Sequence, residues 1–287
     1  MSPILKGIVC IVAAMSMLTV SDAIVRGVTE RVPLMALIML RSVTAVIPVA
    51  IMVHLEGAWP RLRTPYPVFQ LMRGGLIILS YSLYLEALTG GLSFALAVAL
   101  VFTSPLFVAL LSPIAIGERV TVTRWAATLM GFAGVLVALR PWSVDFPPVA
   151  LYSLGSGFAY ALSSLLARKL GQSEPASVTS AYTWFMFLAG STPFALFGSV
   201  AWGLPGLGDM GLIAIVGLIA GSAHFLIVAA YRLAPATAVA PFEYVAMMWG
   251  TLFGYIFWRE VPDIYNLIGM ALIVAGGLVI VYGDRRR

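Results

Sequence analysis

Apolar stretches of about 20 residues recur along the whole chain, separated by short clusters of proline, glycine and charge. Ten such stretches are read, at 4–24, 33–54, 68–88, 92–112, 122–140, 148–168, 178–198, 209–230, 235–257 and 264–282. Each matches the length of a helix that crosses the hydrocarbon core of a bilayer. The connections at 89–91 and 232–234 leave almost no loop. Nothing alternates with the period of two expected of a strand. The fold expected is therefore an all-α membrane protein of ten transmembrane helices. The first stretch has no small-residue cleavage site and is followed by more apolar runs, so it reads as a span and not as a leader.

The chain also repeats itself. Shifted by 142 residues, Ser21 meets Ser163, Arg26 meets Arg168, Pro33 meets Pro175, Glu118 meets Glu260 and Gly134 meets Gly276. The run Ala133-Gly-Val-Leu-Val137 likewise meets Ala275-Gly-Gly-Leu-Val279. Glu is scarce here, and Arg and Pro are far rarer than the aliphatic residues of the spans, so their coincidence weighs against chance. The Pro- and Asp-bearing stretch 140–148 is the expected joint, giving a first five-helix repeat at 1–143 and a second at 144–287. Five spans per half is an odd number, so the second half is inverted relative to the first, an arrangement common among carriers with a central cavity.

Composition agrees with this pattern. Of the 287 residues, 61% are hydrophobic and 10% charged, and the mean hydropathy is +1.00. Soluble domains carry roughly 25% charged residues, so this chain lacks the charge to cover a water-facing surface. The net charge of +5 then reports on topology and not on nucleic acid. With the amino terminus inside, Lys6, Arg61, Arg63, Arg73, Arg119, Arg124, Arg168, Lys169, Arg232 and the arginines at 285–287 fall on the inner side. Arg26, Arg31, Arg41, Arg140 and Arg259 fall on the outer side. This bias places both termini in the cytoplasm of a multi-pass membrane protein; a bacterial inner membrane and a monomer or weak homodimer are separate expectations. The single Cys10 forms no internal disulfide.

Charges at membrane depth are costly and usually face the protein interior or a water-filled cavity. Arg41 lies in the outer half of its span, with Asp22 and Glu86 at comparable depth. These three make either a structural ion pair that fixes helix register or part of a binding site. His224 and Glu243 lie at equal depth near the inner side of antiparallel neighbours. Together they read either as a substrate-amine or proton site or as a polar contact between helices. Asp22, His224 and Glu243 are the candidates for proton coupling. Arg73, near an inner helix end, reads as an interface anchor. Pro48, Pro105, Pro193 and Pro241 interrupt spans and predict kinks around a central chamber. Tyr84, Tyr160, Tyr244 and Trp249 are aromatic candidates for its lining. Gly217-xxx-Gly221, Ala127-xxx-Gly131 and Ala271-xxx-Ala275 predict close helix contacts. No catalytic, Walker or metal-binding spacing occurs, so neither an intramembrane enzyme nor a metal or other cofactor is expected.

Leu100-Val-Phe-Thr-Ser-Pro-Leu-Phe-Val-Ala-Leu110 with Gly117-Glu118-Arg119 resembles the fourth helix of EamA-type members of the drug/metabolite transporter superfamily. Ala240-Pro-Phe-Glu-Tyr-Val245, Glu260-Val-Pro-Asp263 and Gly269-Met-Ala-Leu-Ile-Val-Ala-Gly276 resemble the matching part of the second repeat. Ser21-Asp22-Ala-Ile-Val-Arg26 and Leu40-Arg41-Ser42 are similar to the first two helices. The resemblance implies a ten-helix carrier with a central cavity. Members export amino acids, as YddG-like exporters do, or carry S-adenosylmethionine, metallophores, nucleobases or drugs. Export of small amphipathic metabolites, with amino acids first, is the expected activity. The resemblance also exposes a departure: Arg259 stands before Glu260 where the family usually has glycine.

Overall fold

A computed structural model describes residues 1–28, 31–92, 94–143, 147–197, 203–259 and 261–284. The described residues contain helices and connecting turns and no strand. The helices are α1 (Pro3–Val28), α2 (Leu34–Leu55), α3 (Pro67–Thr89), α4 (Phe94–Val101), α5 (Ser104–Ala115), α6 (Val122–Leu139) and α7 (Ala150–Leu170). They continue with α8 (Ala176–Phe197), α9 (Leu207–Leu233), α10 (Ala236–Val239), α11 (Val245–Trp258) and α12 (Ile264–Asp284). Among the described residues eight runs are long and apolar enough to cross a membrane, counting α4 and α5 as one. The run expected at 178–198 is the helix α8, but it is not among the eight. Its Ser180, Thr183, Ser191 and Thr192 carry hydroxyls that it satisfies internally, on the carbonyls four residues back.

Two expected spans are broken. The fourth divides between α4 and α5, where the Thr103 hydroxyl donates to the Leu100 carbonyl at 2.6 Å. Pro105, which has no N–H to offer, starts the new helix there. The ninth divides into α10, a 3-10 stretch at Ala240–Tyr244 containing Pro241, and α11. Pro48 and Pro193, by contrast, lie inside the continuous helices α2 and α8.

Packing follows the small residues. Helix α9 crosses α2 so closely that a Cβ on Gly217 would fall 1.8 Å from the Thr44 hydroxyl, and one on Gly221 2.4 Å from the Ala45 carbonyl. Only glycine permits that approach, and the stripe expected from sequence sits at this crossing. Helix α12 lies along α6, α1 along α9, α3 along α7, and α2 against α8. The two broken spans touch where their breaks face each other, α5 meeting α10 and the 3-10 stretch.

The start of α1 and the end of α12 lie at one end of the bundle. Gly7 packs on Ala234, Gly283 packs on Thr123, and Arg124 donates to the Thr237 hydroxyl at 3.0 Å. This end is called the terminus end below. The arginines expected to mark it at 285–287 lie outside the described residues, as do Glu30 and Glu260.

Candidate substrate recess

Helical rise sets the depth of each polar group. Asp22 lies about 28 Å along α1 from the terminus end, and Arg41 about 10 Å into α2 from the opposite end. Tyr160 and His224 sit about 15 Å in from the terminus end, Glu243 and Arg73 about 10 Å in. Asp22 is walled in by protein yet keeps an exposed surface, and His224, Tyr160 and Tyr84 are enclosed but only half-buried. Groups surrounded by protein that still meet solvent face a recess.

The recess is polar and its charges are coupled. Arg41 and Asp22 act on each other across it without forming a salt bridge, and the Arg41 Nε has no acceptor. Asp22 acts on Tyr81 and Tyr84, while Arg41 and Arg73 both act on His224. Arg73 acts in turn on Tyr160 and Tyr231. Glu86 is exposed and makes no ion pair with Arg41.

Glu243 forms the floor. It sits in the 3-10 stretch of the broken ninth span with 4% of its surface exposed. Its carboxylate accepts from the Tyr231 hydroxyl at 2.7 Å and the Tyr160 hydroxyl at 3.4 Å, and Ser104, at the break of the other interrupted span, reaches it too. A buried carboxylate is tolerated when hydroxyls satisfy it in this way. Pro105 and Pro241 therefore sit at the two breaks that frame Glu243.

The expected pairing of His224 with Glu243 is not what the structure shows. His224 lies edge-on to Trp184 at 5.3 Å and near Phe187 at 6.0 Å, and its Nδ1 has no partner. Equal depth does not fix azimuth, and α9 turns Tyr231 rather than His224 toward the carboxylate. Tyr244 is also placed apart from the recess. It is fully buried, packed edge-to-face on Phe102 at 5.9 Å and pressed against Gly131 of α6. Trp249 lines a separate apolar groove of about 530 Å³ that it shares with Val12, Phe242, Met270 and Leu278 between α1, α11 and α12.

Two residues gain weight that sequence reading did not give them. Tyr231 lies near a helix end, where an aromatic reads as an interface residue, yet it is fully buried on Glu243. Arg73 reads as a surface anchor, yet it is 2% exposed and donates to the Thr183 hydroxyl of α8. A hint was present in Gln70 and Gly74, which give this stretch of α3 a polar, close-packed face.

The terminus end is closed beneath this floor. Glu118 accepts from Arg168 at 2.6 Å and from the Ala236 backbone N–H at 2.9 Å. Arg168 also donates to the carbonyls of Tyr231 and Arg232. Glu56 accepts from Ser177, and Thr64 donates to Glu174 at 2.7 Å.

Long apolar helices around a charged recess, with helix breaks at its floor, define a multi-pass membrane transporter. The chain belongs to the EamA-like transporter family, within the drug/metabolite transporter superfamily, and the family pattern matches twice, at residues 5–140 and 147–282. It is 33% identical over 230 residues to a riboflavin transporter of Rhizobium johnstonii, covering 79% of this chain and 74% of the relative. It is 32% identical to a riboflavin transporter of Vibrio cholerae, over 76% of this chain and 72% of that one. An S-adenosylmethionine uptake transporter of Rickettsia bellii is 28% identical, over 78% and 75% of the two chains. A crystal structure with 24% identity shares the fold, with a TM-score of 0.80 over 99% of this chain and 98% of that one.

Proposed function

We propose that this protein carries a small metabolite with a ring and a polar head, of the riboflavin or S-adenosylmethionine type, across the bacterial inner membrane by alternating access. The structure is then its outward-open state. The observation that carries this reading is the asymmetry of access: Asp22, Tyr84, His224 and Tyr160 keep solvent-accessible surface in an enclosed recess, while a hydrogen-bonded layer lies beneath Glu243. Tyr81 and Tyr84, both half-buried, provide aromatic surface for a ring. Names of relatives favour these classes over free amino acids, which remain the second reading because S-adenosylmethionine carries the same amino-acid head. The Rickettsia name favours uptake over the export expected from sequence.

Alternating access in this reading rests on two inverted five-helix repeats, 1–143 and 144–287. Exchanging the halves turns the pairing of α1 with α9 into that of α7 with α3, and maps α2–α8 and α6–α12 onto themselves. The double family match supports the same division. Both termini are proposed to be cytoplasmic, following the basic-residue bias, and Asp22, His224 and Glu243 remain the candidates for proton coupling.

Counterflow in proteoliposomes tests the reading. Preloaded unlabelled substrate should accelerate saturable entry of labelled riboflavin, S-adenosylmethionine or an amino acid. Flux of all three that never saturates, or the absence of any flux, would remove the carrier reading. Entry unaffected by a pH gradient would remove the proton-coupling candidates alone.

A further inference from the structure

We propose that Arg73 is the anion subsite of this carrier, taking a carboxylate or phosphate of the transported metabolite between α3, α7 and α8. The proposal rests on the carrier reading above and narrows it to substrates bearing an anionic group.

The argument begins with charge balance. A guanidinium is always protonated, and a charged side chain at membrane depth is costly. Such groups are normally paired. Among the described residues no carboxylate lies within 4.0 Å of Arg73, although it is 98% buried. Its donors are underused: one terminal nitrogen donates to the Thr183 hydroxyl, whose own proton goes to the Thr179 carbonyl at 2.9 Å, and Nε has no acceptor. Glu243, a nearby buried carboxylate, does not serve. It is held by Tyr231, Tyr160 and Ser104, and the two tyrosines stand between it and Arg73.

The guanidinium is also held in place. The carbonyl of Arg73 accepts from Ser163 of α7 at 3.3 Å. The following Gly74 lets α3 sit so near α8 that a Cβ there would fall 2.6 Å from Met186 Cγ. One turn back, Gln70 donates to the Thr179 hydroxyl at 3.2 Å. A fixed, buried fork with an unfilled donor beside the recess suits a two-oxygen anion, which it can bind through two parallel hydrogen bonds. Tyr160, half-buried at the recess, interacts with both Arg73 and Glu243 and so links the fork to the floor.

Equilibrium binding to the purified full-length protein tests this with two ligand pairs: S-adenosylmethionine against its decarboxylated analogue, and riboflavin 5′-phosphate against riboflavin. In at least one pair the anionic member should bind the wild type about 10-fold or more tighter, the value of a charge-assisted bond. The preference should fall to about one in Arg73→Gln and survive in part in Arg73→Lys. Which pair shows it tells a carboxylate from a phosphate. Without ligand, Arg73→Gln should melt no lower than the wild type, because it removes an uncompensated charge. A purely structural Arg73 would instead lower the melting temperature and leave the ligand ratios unchanged. Members that lack the anionic group binding as tightly as those that carry it would overturn the subsite and leave the carrier reading standing. Failure of all four ligands to bind would overturn both.

Discussion

At the terminus end one carboxylate gathers several helices. Glu118, at the end of α5, accepts from Arg168 of α7 and from the first N–H of α10, and Arg168 continues to two carbonyls of α9. The Arg168 and Glu118 side chains are 17% and 15% exposed. At the opposite end the ion pairs of the described residues are Arg31–Asp209, at 56% and 20%, and Arg140–Asp263, at 41% and 39%. Exposed pairs are screened by solvent and contribute little, whereas removing one member of a buried pair strands the other. The difference teaches where the molecule is latched. The terminus end is latched by a partly buried network, and neither Arg31–Asp209 nor Arg140–Asp263 at the opposite end is as buried.

The largest expected effect follows from cutting that latch. Glu118→Ala leaves Arg168 partly buried without its acceptor and uncaps α10, and should cost roughly 3 kcal/mol. Arg31→Ala and Arg140→Ala should each cost under about 1 kcal/mol. Thermal unfolding in detergent measures all three, and equal losses would erase the contrast between the ends.

A smaller effect concerns a turn that both ends share. Gly117, after α5, has φ +71°, and Arg259, after α11, has φ +59°. A left-handed residue costs a side chain about 1–2 kcal/mol that glycine avoids, offset in part by glycine's greater unfolded-state entropy. Arg259→Gly should therefore raise stability by about 0.5 kcal/mol net, and a lower melting temperature would show that the arginine makes a compensating contact.

The smallest effect is the response of the opposite end to acid. The Asp263 carboxyl is held below the usual range, first by the Asn266 backbone N–H at 2.9 Å and also by Arg140. Its folded pKa is thus below its unfolded value of about 3.9, so its contribution is present above that pH and lost as the pH falls through the lower folded value. The melting difference between wild type and Asp263→Ala should shrink between neutral pH and pH of about 3. A difference that grows on acidification would contradict this.

Much of the architecture was legible in the residues, and the reasons are local. Apolar run length gave the helices and Gly217 with Gly221 marked the α2–α9 crossing, whereas of four prolines read alike Pro105 and Pro241 fall at breaks and Pro48 and Pro193 inside continuous helices. The departure at Arg259 was visible only through the family resemblance, and the structure adds that its backbone is left-handed, a conformation glycine suits. The floor of the recess was not legible. Glu243 finds Tyr231 and Tyr160 from two other helices, 12 and 83 residues away. Depth along a helix can be counted from its end, but the direction a side chain faces is set by neighbours the sequence does not name. The same gap misplaced Arg73, because a position near a helix end permits both snorkelling to the surface and burial against α8.

One measurement bears on the central claim most directly. With Cys10→Ser as background, a single cysteine at His224→Cys can be labelled in sealed vesicles by a membrane-impermeant thiol reagent applied to one face at a time. Reagent on the face opposite the termini should react at least about 10-fold faster, since about 1.4 kcal/mol of bias toward the outward-open state already gives that ratio. Adding Glu118→Ala should narrow the difference. Equal labelling from both faces, or faster labelling from the face that carries the termini, would contradict the account.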